Sequence, residues 1–552
     1  MKKLIIIVLS ALFMLTACTG GESGNGTVGA GIVGTETAGN GNAVTPLTND
    51  HALQGTLTVS AFDSMMAGNF LNEAARLFME QHPGTEINIE TFSSPPEIRM
   101  AEGAQGSGMV TMVGGGMNPQ ERRDYINMIN TELMSGGGPD ILALDVLPFY
   151  QYARNGLLVD LLDLMEADPA FDINDYRRNI FDALTTPDGL FMFPLDYTFE
   201  YITFDSDLFD DTTIAELSVR DVFTHDELIQ LGMLAFEMAQ NTSDTPVPMF
   251  PMHVSPGLGR GLLSSIFALN HNHFVDIPNR QANFTNGDFE ALLTSVLQIE
   301  NDGLLMPRQD MQDMQRGVMR VMNQGSVYSF RNSTQLLHEF HTDESVQGFV
   351  MAGGSGAASG LFGSDSEMIA GLLASDAGEV PFTLGHAFGI NSNSNNQALA
   401  WEFIKFLSTD ATRDSFLMRG LPTHIETFEA RTTQAITDGM MSIGSSAMGG
   451  MITQIVGGSA LAGAFEVEES DTVETATERD ANQEMTPEQI ASFNEYVAAV
   501  EHFTGLLNTF HTTNTLIDDV ISNALTEFFD GTSTASEVAQ NLQSRISLVL
   551  NE

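Results

Sequence analysis

TLTVSAFDSMMAGNFLNEAARLFMEQHPGTEINIE, residues Thr56 to Glu90, holds the change of period that decides the fold class. Leu57, Val59 and Ala61 alternate with Thr58 and Ser60, the two-residue period of a strand. From Asn69 to His82 the period lengthens. Phe70, Leu71, Ala74, Leu77 and Phe78 fall on one face of a helix, and Pro83-Gly84 stops it. Ile87 and Ile89 then alternate with Asn88 and Glu90, giving a second strand. Strand, helix and strand in so short a span form a βαβ unit, so a parallel sheet in an α/β fold is expected.

Upstream of this unit the chain changes character twice. Residues Thr19 to Gln54 are Gly, Thr, Asn, Ser and Ala with almost no large apolar side chains. Such a segment buries too little surface to fold and reads as a flexible tether, with a root-mean-square reach of roughly 30–36 Å. Before it, Lys2 and Lys3 precede the apolar run Leu4 to Leu15, which is short for a membrane span but suits the core of a signal peptide. The run ends in Leu15-Thr16-Ala17-Cys18, which resembles the lipobox of bacterial lipoproteins. That resemblance implies cleavage after residue 17 and lipid on Cys18, with residues 18–55 as lipidated tether. Cys18 is the only cysteine, so no intrachain disulfide can form.

The charge excludes some partners. The 552 residues carry 72 acidic and 22 basic side chains, a formal charge of −50, and Lys2, Lys3 and Lys405 are the only lysines. A nucleic-acid backbone or an anionic bilayer surface is bound through clustered Lys and Arg, so neither is a partner for this chain. The apolar share of 43% is ample for a large core.

Downstream, residues 93–118 are rich in Gly, Met, Ser and Pro and read as a surface loop. A helix resumes near Pro119 with Tyr125, Ile126, Ile129 and Leu133 on one stripe. It ends at Gly136-Gly137-Gly138, and Ile141, Leu142 and Leu144 follow as a buried strand. The glycines close a helix and no Gly-Lys-Ser/Thr follows, so they do not form a phosphate loop. Trp401, Ile404 and Leu407 share a helical face, which places the only tryptophan in the core. Thr534 and Glu537 form a capping box for a last helix, and Thr486, Pro487 and Gln489 do so for an earlier one.

Three blocks carry a more specific likeness. GGGPDILALDVLPFYQYARNGLLVDLLDLM (Gly136 to Met165), DGLFMFPLDYTFEYITFDSDLF (Asp188 to Phe209) and HAFGINSNSNNQALAWEFIKFLSTDATRDSF (His386 to Phe416) stand in order along the chain. Together with Gly420-Leu421-Pro422-Thr423 and the stretch Leu516 to Glu552, they resemble the extracellular solute-binding proteins of bacterial ABC sugar importers. Phe191 replaces a usual tyrosine, and Phe204-Asp205 a usual Tyr-Asn. The resemblance implies an α/β, two-lobed, periplasmic-binding-protein-like clamshell with a hinge of about three crossings, near Thr198, Thr383 and Pro422. Residues 56–197 with 381–418 would form one lobe, and 204–380 with 424–552 the other. The stretches 93–118, 352–380 and 438–485 are expected as loops or disordered segments.

The same resemblance implies a function. The protein would capture a sugar or oligosaccharide by hinge closure and deliver it to ABC permease subunits. It would work as a monomer at the outer face of the cytoplasmic membrane of a Gram-positive-type bacterium, held there by its lipid alone. Cleft residues would be Asp63, Asp145, Asp196 and Tyr197, Phe330 as a stacking ring, Arg331 and Asn332 as donors, and His386. The other readings are a tethered ligand sensor or glycan-adhesion module without transport, and less readily a glycosidase. No cofactor or metal is expected. His338-Glu339-Phe340-His341 is one residue short of the zincin spacing, His271 and His273 are not a metal pair, and no Gly-x-Ser-x-Gly occurs.

Overall fold

The computed structural model describes residues 53–62, 67–92, 97–100, 110–113, 119–205, 209–242, 263, 266–301, 328–333, 368–413, 415, 420–437, 487–511 and 515–551. Cys18, residues 1–17, the tether up to residue 52, Asp63 and the stretch 438–485 lie outside them.

In the first strand, β1 (Gly55–Phe62), the alternating Leu57, Val59 and Ala61 are each 0% exposed. The intervening Ser60 is also buried, so the strand is covered on both faces, as parallel strands are. Helix α1 (Ala67–Gln81) returns the chain through Phe70, Leu71, Ala74 and Phe78 to β2 (Thr85–Phe92), which pairs parallel to β1 with Leu57 beside Ile87. A hairpin of β3 (Glu97–Met100) and β4 (Val110–Val113) follows. The segment 93–118 was expected to be all loop. Two four-residue strands pair there, a ladder too short to show against the surrounding Gly and Met.

Helix α2 (Pro119–Met134) leads into β5 (Ile141–Ala143), then come α3 (Phe149–Arg154), α4 (Leu161–Ala167) and α5 (Arg178–Leu184). β6 (Phe193–Thr198) ends one residue before β7 (Glu200–Asp205), and the two lie in different sheets. The second sheet has the order β11-β7-β12-β8, with β8 at Val222–Phe223, β11 at Tyr328–Asn332 and β12 at Met368–Leu373. β12 corrects the expected loop 352–380. Its run Met-Ile-Ala-Gly-Leu-Leu is a central strand between β7 and β8, and such strands read as continuous apolar runs.

Between these strands lie α6 (Asp211–Leu217), α7 (His225–Thr242), α8 (His271–Phe274), the hairpin of β9 (Val275–Asp276) and β10 (Gln281–Ala282), and α9 (Asp288–Asn301). β13 (Pro381–Ile390) then returns to the first sheet, followed by α10 (Gln397–Phe406), β14 (Leu421–Pro422) and α11 (Ile425–Thr437). The first sheet has the order β14-β6-β13-β5-β1-β2, with β15 (Thr509–Phe510) pairing beside β13. Helices α12 (Pro487–Leu506), α13 (Thr515–Phe529) and α14 (Ala535–Asn551) complete the chain. The hydroxyl and backbone N–H of Thr534 both donate to Glu537, closing the expected capping box of α14.

Two hydrophobic cores result. The first gathers the large sheet with α1, α2, α5 and α10. Trp401 lies in it at 3% exposure, its Nε1–H donating to Asp168 at 2.9 Å while Lys405 Nζ approaches the same carboxylate at 2.5 Å. The second core is formed by Phe267, Phe274, Phe284 and Phe289 with the apolar faces of α9, α13 and α14. Phe428, Val500, Phe503 and Leu507, from the segment 424–552 expected in the second lobe, pack into the first core, as do Leu372, Ala374 and Val380 from 204–380. Arg177 pairs with Glu501, and Asn179 donates to the carbonyls of Thr504 and Leu507, which fixes α12 against α5.

His271 and His511 meet at the edge of the second core, rings 5.5 Å apart, with the His511 backbone N–H bonded to Phe382 of β13. Burial pushes the His271 imidazole down to about 4, and His511 beside it adds to the effect. The unfolded chain therefore binds this proton first. The stability held by neutral His271 is complete above pH 6.5 and is lost as pH falls toward 4, on the order of 3 kcal/mol. Urea midpoints at pH 7 and pH 4.5 check this. His271→Leu should shrink the drop between them, and an equal drop in variant and wild type would refute the assignment.

Candidate functional site

β6 carries Asp196 and Tyr197 side by side, and a strand sends neighbouring side chains to opposite faces. Both are 0% exposed. Tyr197 points into the first core, where its hydroxyl bonds Thr504 Oγ1 at 2.8 Å. Asp196 points the other way, toward β13. The β13–β6 ladder shifts register on either side of His386, an irregularity of the kind that re-aims a side chain. There the Asp196 carboxylate accepts from the His386 backbone N–H at 2.6 Å, from His386 Nδ1 at 3.1 Å and from the Gly420 N–H at 3.0 Å.

The carboxylate also explains two glycines. A Cβ on Gly385 would lie 2.6 Å from Asp196 Oδ2, and one on Gly420 would lie 2.3 Å from it. Only a residue without a side chain lets both segments close on this group.

Asp145 follows β5 and completes the cluster, its Oδ1 accepting weakly from the Ala387 N–H at 3.4 Å. Its side chain meets solvent, yet desolvation dominates its titration and raises the carboxyl above its ordinary range. His386 pulls it down, and Asp196 adds to the rise. Burial alone would push the His386 imidazole down, but Asp196, by charge and hydrogen bond, and then Asp145 lift it to about 9. His386 is an imidazolium at neutral pH. With Nδ1 held by Asp196, Nε2–H is its remaining donor beside the Asp145 acceptor.

A donor and an acceptor close together are suited to a polar, hydroxyl-bearing molecule. They include no activated nucleophile. Among the described residues no group of three or more His, Cys, Asp or Glu is placed to hold a metal ion.

A sequence model of the family described as bacterial extracellular solute-binding protein matches residues 117–438, more than half of the chain. The chain belongs to that family. Solved solute-binding proteins share the two-lobed α/β fold. A family 1 extracellular solute-binding protein from Alicyclobacillus acidocaldarius is 13% identical with a TM-score of 0.50, the match covering 91% of this chain and 100% of that one. A periplasmic oligogalacturonide binding protein from Yersinia enterocolitica is also 13% identical at 0.50, covering 90% and 99%. No curated protein matches in sequence.

Of the solute-binding residues expected from sequence, the structure brings together Asp145, Asp196 and His386. Two of the expected ligand contacts are corrected. Tyr197 is a core residue, and Asp196 is enclosed by protein donors, so it holds His386 rather than touching solute. Phe330, Arg331 and Asn332 lie on β11, in register with Ile202, Tyr201 and Glu200 of β7, and their side chains are outside the described residues, as is Asp63. Two residues were missed. Glu200, at the start of β7, is solvent-touched, and burial raises its carboxyl as it does that of Asp145. Arg431 on α11 has its guanidinium pushed down by burial while Asp196 opposes this. An acid inside the apolar stretch Phe193 to Phe204 was the available signal for Glu200. Arg431 reaches the cluster only through tertiary structure.

Asp196→Asn should destabilise the fold by roughly 3–5 kcal/mol, since it leaves a buried imidazolium without its partner. It should also bring the His386 titration down from about 9, read by imidazole NMR. The wild type holds this contribution below pH 6.5 and loses it as pH rises through 9. A His386 titration unmoved by the substitution would contradict the assignment.

Proposed function

We propose that this solute-binding protein captures a sugar or oligosaccharide outside the cell and delivers it to the permease of an ABC importer. The observation that carries the reading is the cluster of Asp145, Asp196 and His386, which sets a carboxyl acceptor near an imidazolium donor. A sugar hydroxyl can donate to the first and accept from the second. The Yersinia protein of the same fold binds oligogalacturonide, which supports a carbohydrate. Here, though, Asp145 presents a carboxylate, and this would repel a uronate. A neutral sugar is the better fit. Phe330 is proposed as the stacking ring, with Asp63, Arg331 and Asn332 as further contacts. Closure follows because a solute touching both lobes binds the closed arrangement more tightly than the open one.

The protein is proposed to act as a monomer, anchored through lipid on Cys18 to the outer face of the cytoplasmic membrane of a Gram-positive-type bacterium. Cys18→Ser should release it into the medium or leave an uncleaved precursor. Mature, unlipidated protein still retained at the membrane would refute the anchor.

Calorimetric titration over a panel of neutral and acidic sugars tests the ligand. A neutral sugar should bind, and Asp145→Asn should weaken it by roughly 1.5–3 kcal/mol, the range for a hydrogen bond to a charged group. Binding confined to uronates, or unaffected by Asp145→Asn, would overturn the reading.

A further inference from the structure

We propose that the two lobes are latched directly to one another, away from the hinge strands, by arginines of α2 and α3 that reach across to α13 and to the turn between β9 and β10. The first contact sits far from the crossing. In the order β14-β6-β13-β5-β1-β2, the crossing strand β6 lies near one edge, and β1 and β2 lie at the other. Helix α2 is fixed to that far side. Tyr125 bonds Ser60 of β1 at 3.2 Å, and its ring packs on Phe62 and Phe92 at 5.6 and 5.7 Å. Two residues earlier, Arg123 Nη1 lies 3.9 Å from Asp519 Oδ2 on α13, a helix whose Ile517, Val520 and Ile521 belong to the second core. Arg122 stands beside Asp518 on the same turn of α13. Burial and then Asp519 push the Asp518 carboxyl up to about 6, and Arg122 opposes them. The Nε of Arg122 is buried and has no hydrogen-bond partner among the described residues.

The second contact is independent of the first. Arg154 Nη2, at the end of α3, donates to the carbonyls of Pro278 at 2.9 Å and Ile277 at 3.4 Å. The Ile277 side chain belongs to the second core, and Tyr150, one turn earlier on α3, packs against both cores. The turn is firmly built. Asp276 accepts from the Asn279 backbone at 3.0 Å and from its side chain at 2.8 Å. Burial lowers the Arg154 guanidinium, the charge of Arg280 on the same turn adds to this, and Asp188 offsets it.

The charge of the chain gives the latch a purpose. A protein at −50 has lobes that repel each other, and its scarce arginines at the lobe junction offset that repulsion. A closed arrangement held in part by the chain's own contacts needs less differential affinity from solute to complete it.

Distances between spin labels at Asp124→Cys and Asn523→Cys, in a Cys18→Ser background and without any sugar, test the latch. Arg123→Glu with Arg154→Ala should shift the distance distribution to longer values. Adding Asp519→Arg to Arg123→Glu should bring it back toward that of the parent. Exposed positions were chosen, so the variants fold, and circular dichroism checks this. A distribution that does not move, or one that lengthens and is not restored by the charge swap, overturns the proposal. Because no ligand enters the measurement, either result is independent of whether the solute is a sugar.

Discussion

One buried carboxylate ties together three neighbouring strands of the first sheet, β6, β13 and β14. Asp196 accepts from the backbone of His386 on β13 and of Gly420 just before β14, while itself standing on β6. Three separated segments of chain thereby close on a single charge. In a low-dielectric interior such a group is tolerated only when its lone pairs are filled and a countercharge is near. The backbone donors, the His386 imidazolium and the more distant Arg431 meet that condition. The two glycines and the irregularity in β13 follow from the same demand, since each lets backbone approach the carboxylate.

This arrangement also sets the electrostatics around Asp145. Asp196 keeps His386 charged, and His386 in turn moderates Asp145. The group that meets solvent is therefore tuned by one that never does. A change at Asp196 therefore alters both the fold and the charge state of His386.

Where the sequence was legible, a strong period met a buried surface. β1, α1 and β2 were readable because their apolar residues repeat at 2 and 3.6 and all of them reach the core. The Trp401 helix was readable for the same reason. The hairpin of β3 and β4 and the strand β12 were not, because Gly and Met blur the period and a central strand has no polar face to alternate with. The packing of α12 was hidden for a different reason. Its role depends on Arg177 and Asn179, which lie more than three hundred residues upstream, and no local pattern encodes that pairing. Asp145 and His386, both expected beside the cleft from flanking motifs, lie close enough to interact. The opposite fates of Asp196 and Tyr197 were not legible, since a strand buried on both faces hides which side meets the ligand.

The lone tryptophan has a practical consequence. Trp401 sits among Phe171 and Phe193, its indole N–H on Asp168 and the Lys405 ammonium 5.9 Å from its ring, all within the first core. Tryptophan emission from this protein is thus a single-site optical probe, coloured by one fixed ion pair. It reports the integrity of that core and is silent about the phenylalanine cluster of the second, so the two halves of an unfolding reaction can be told apart by pairing emission with a signal from the whole backbone.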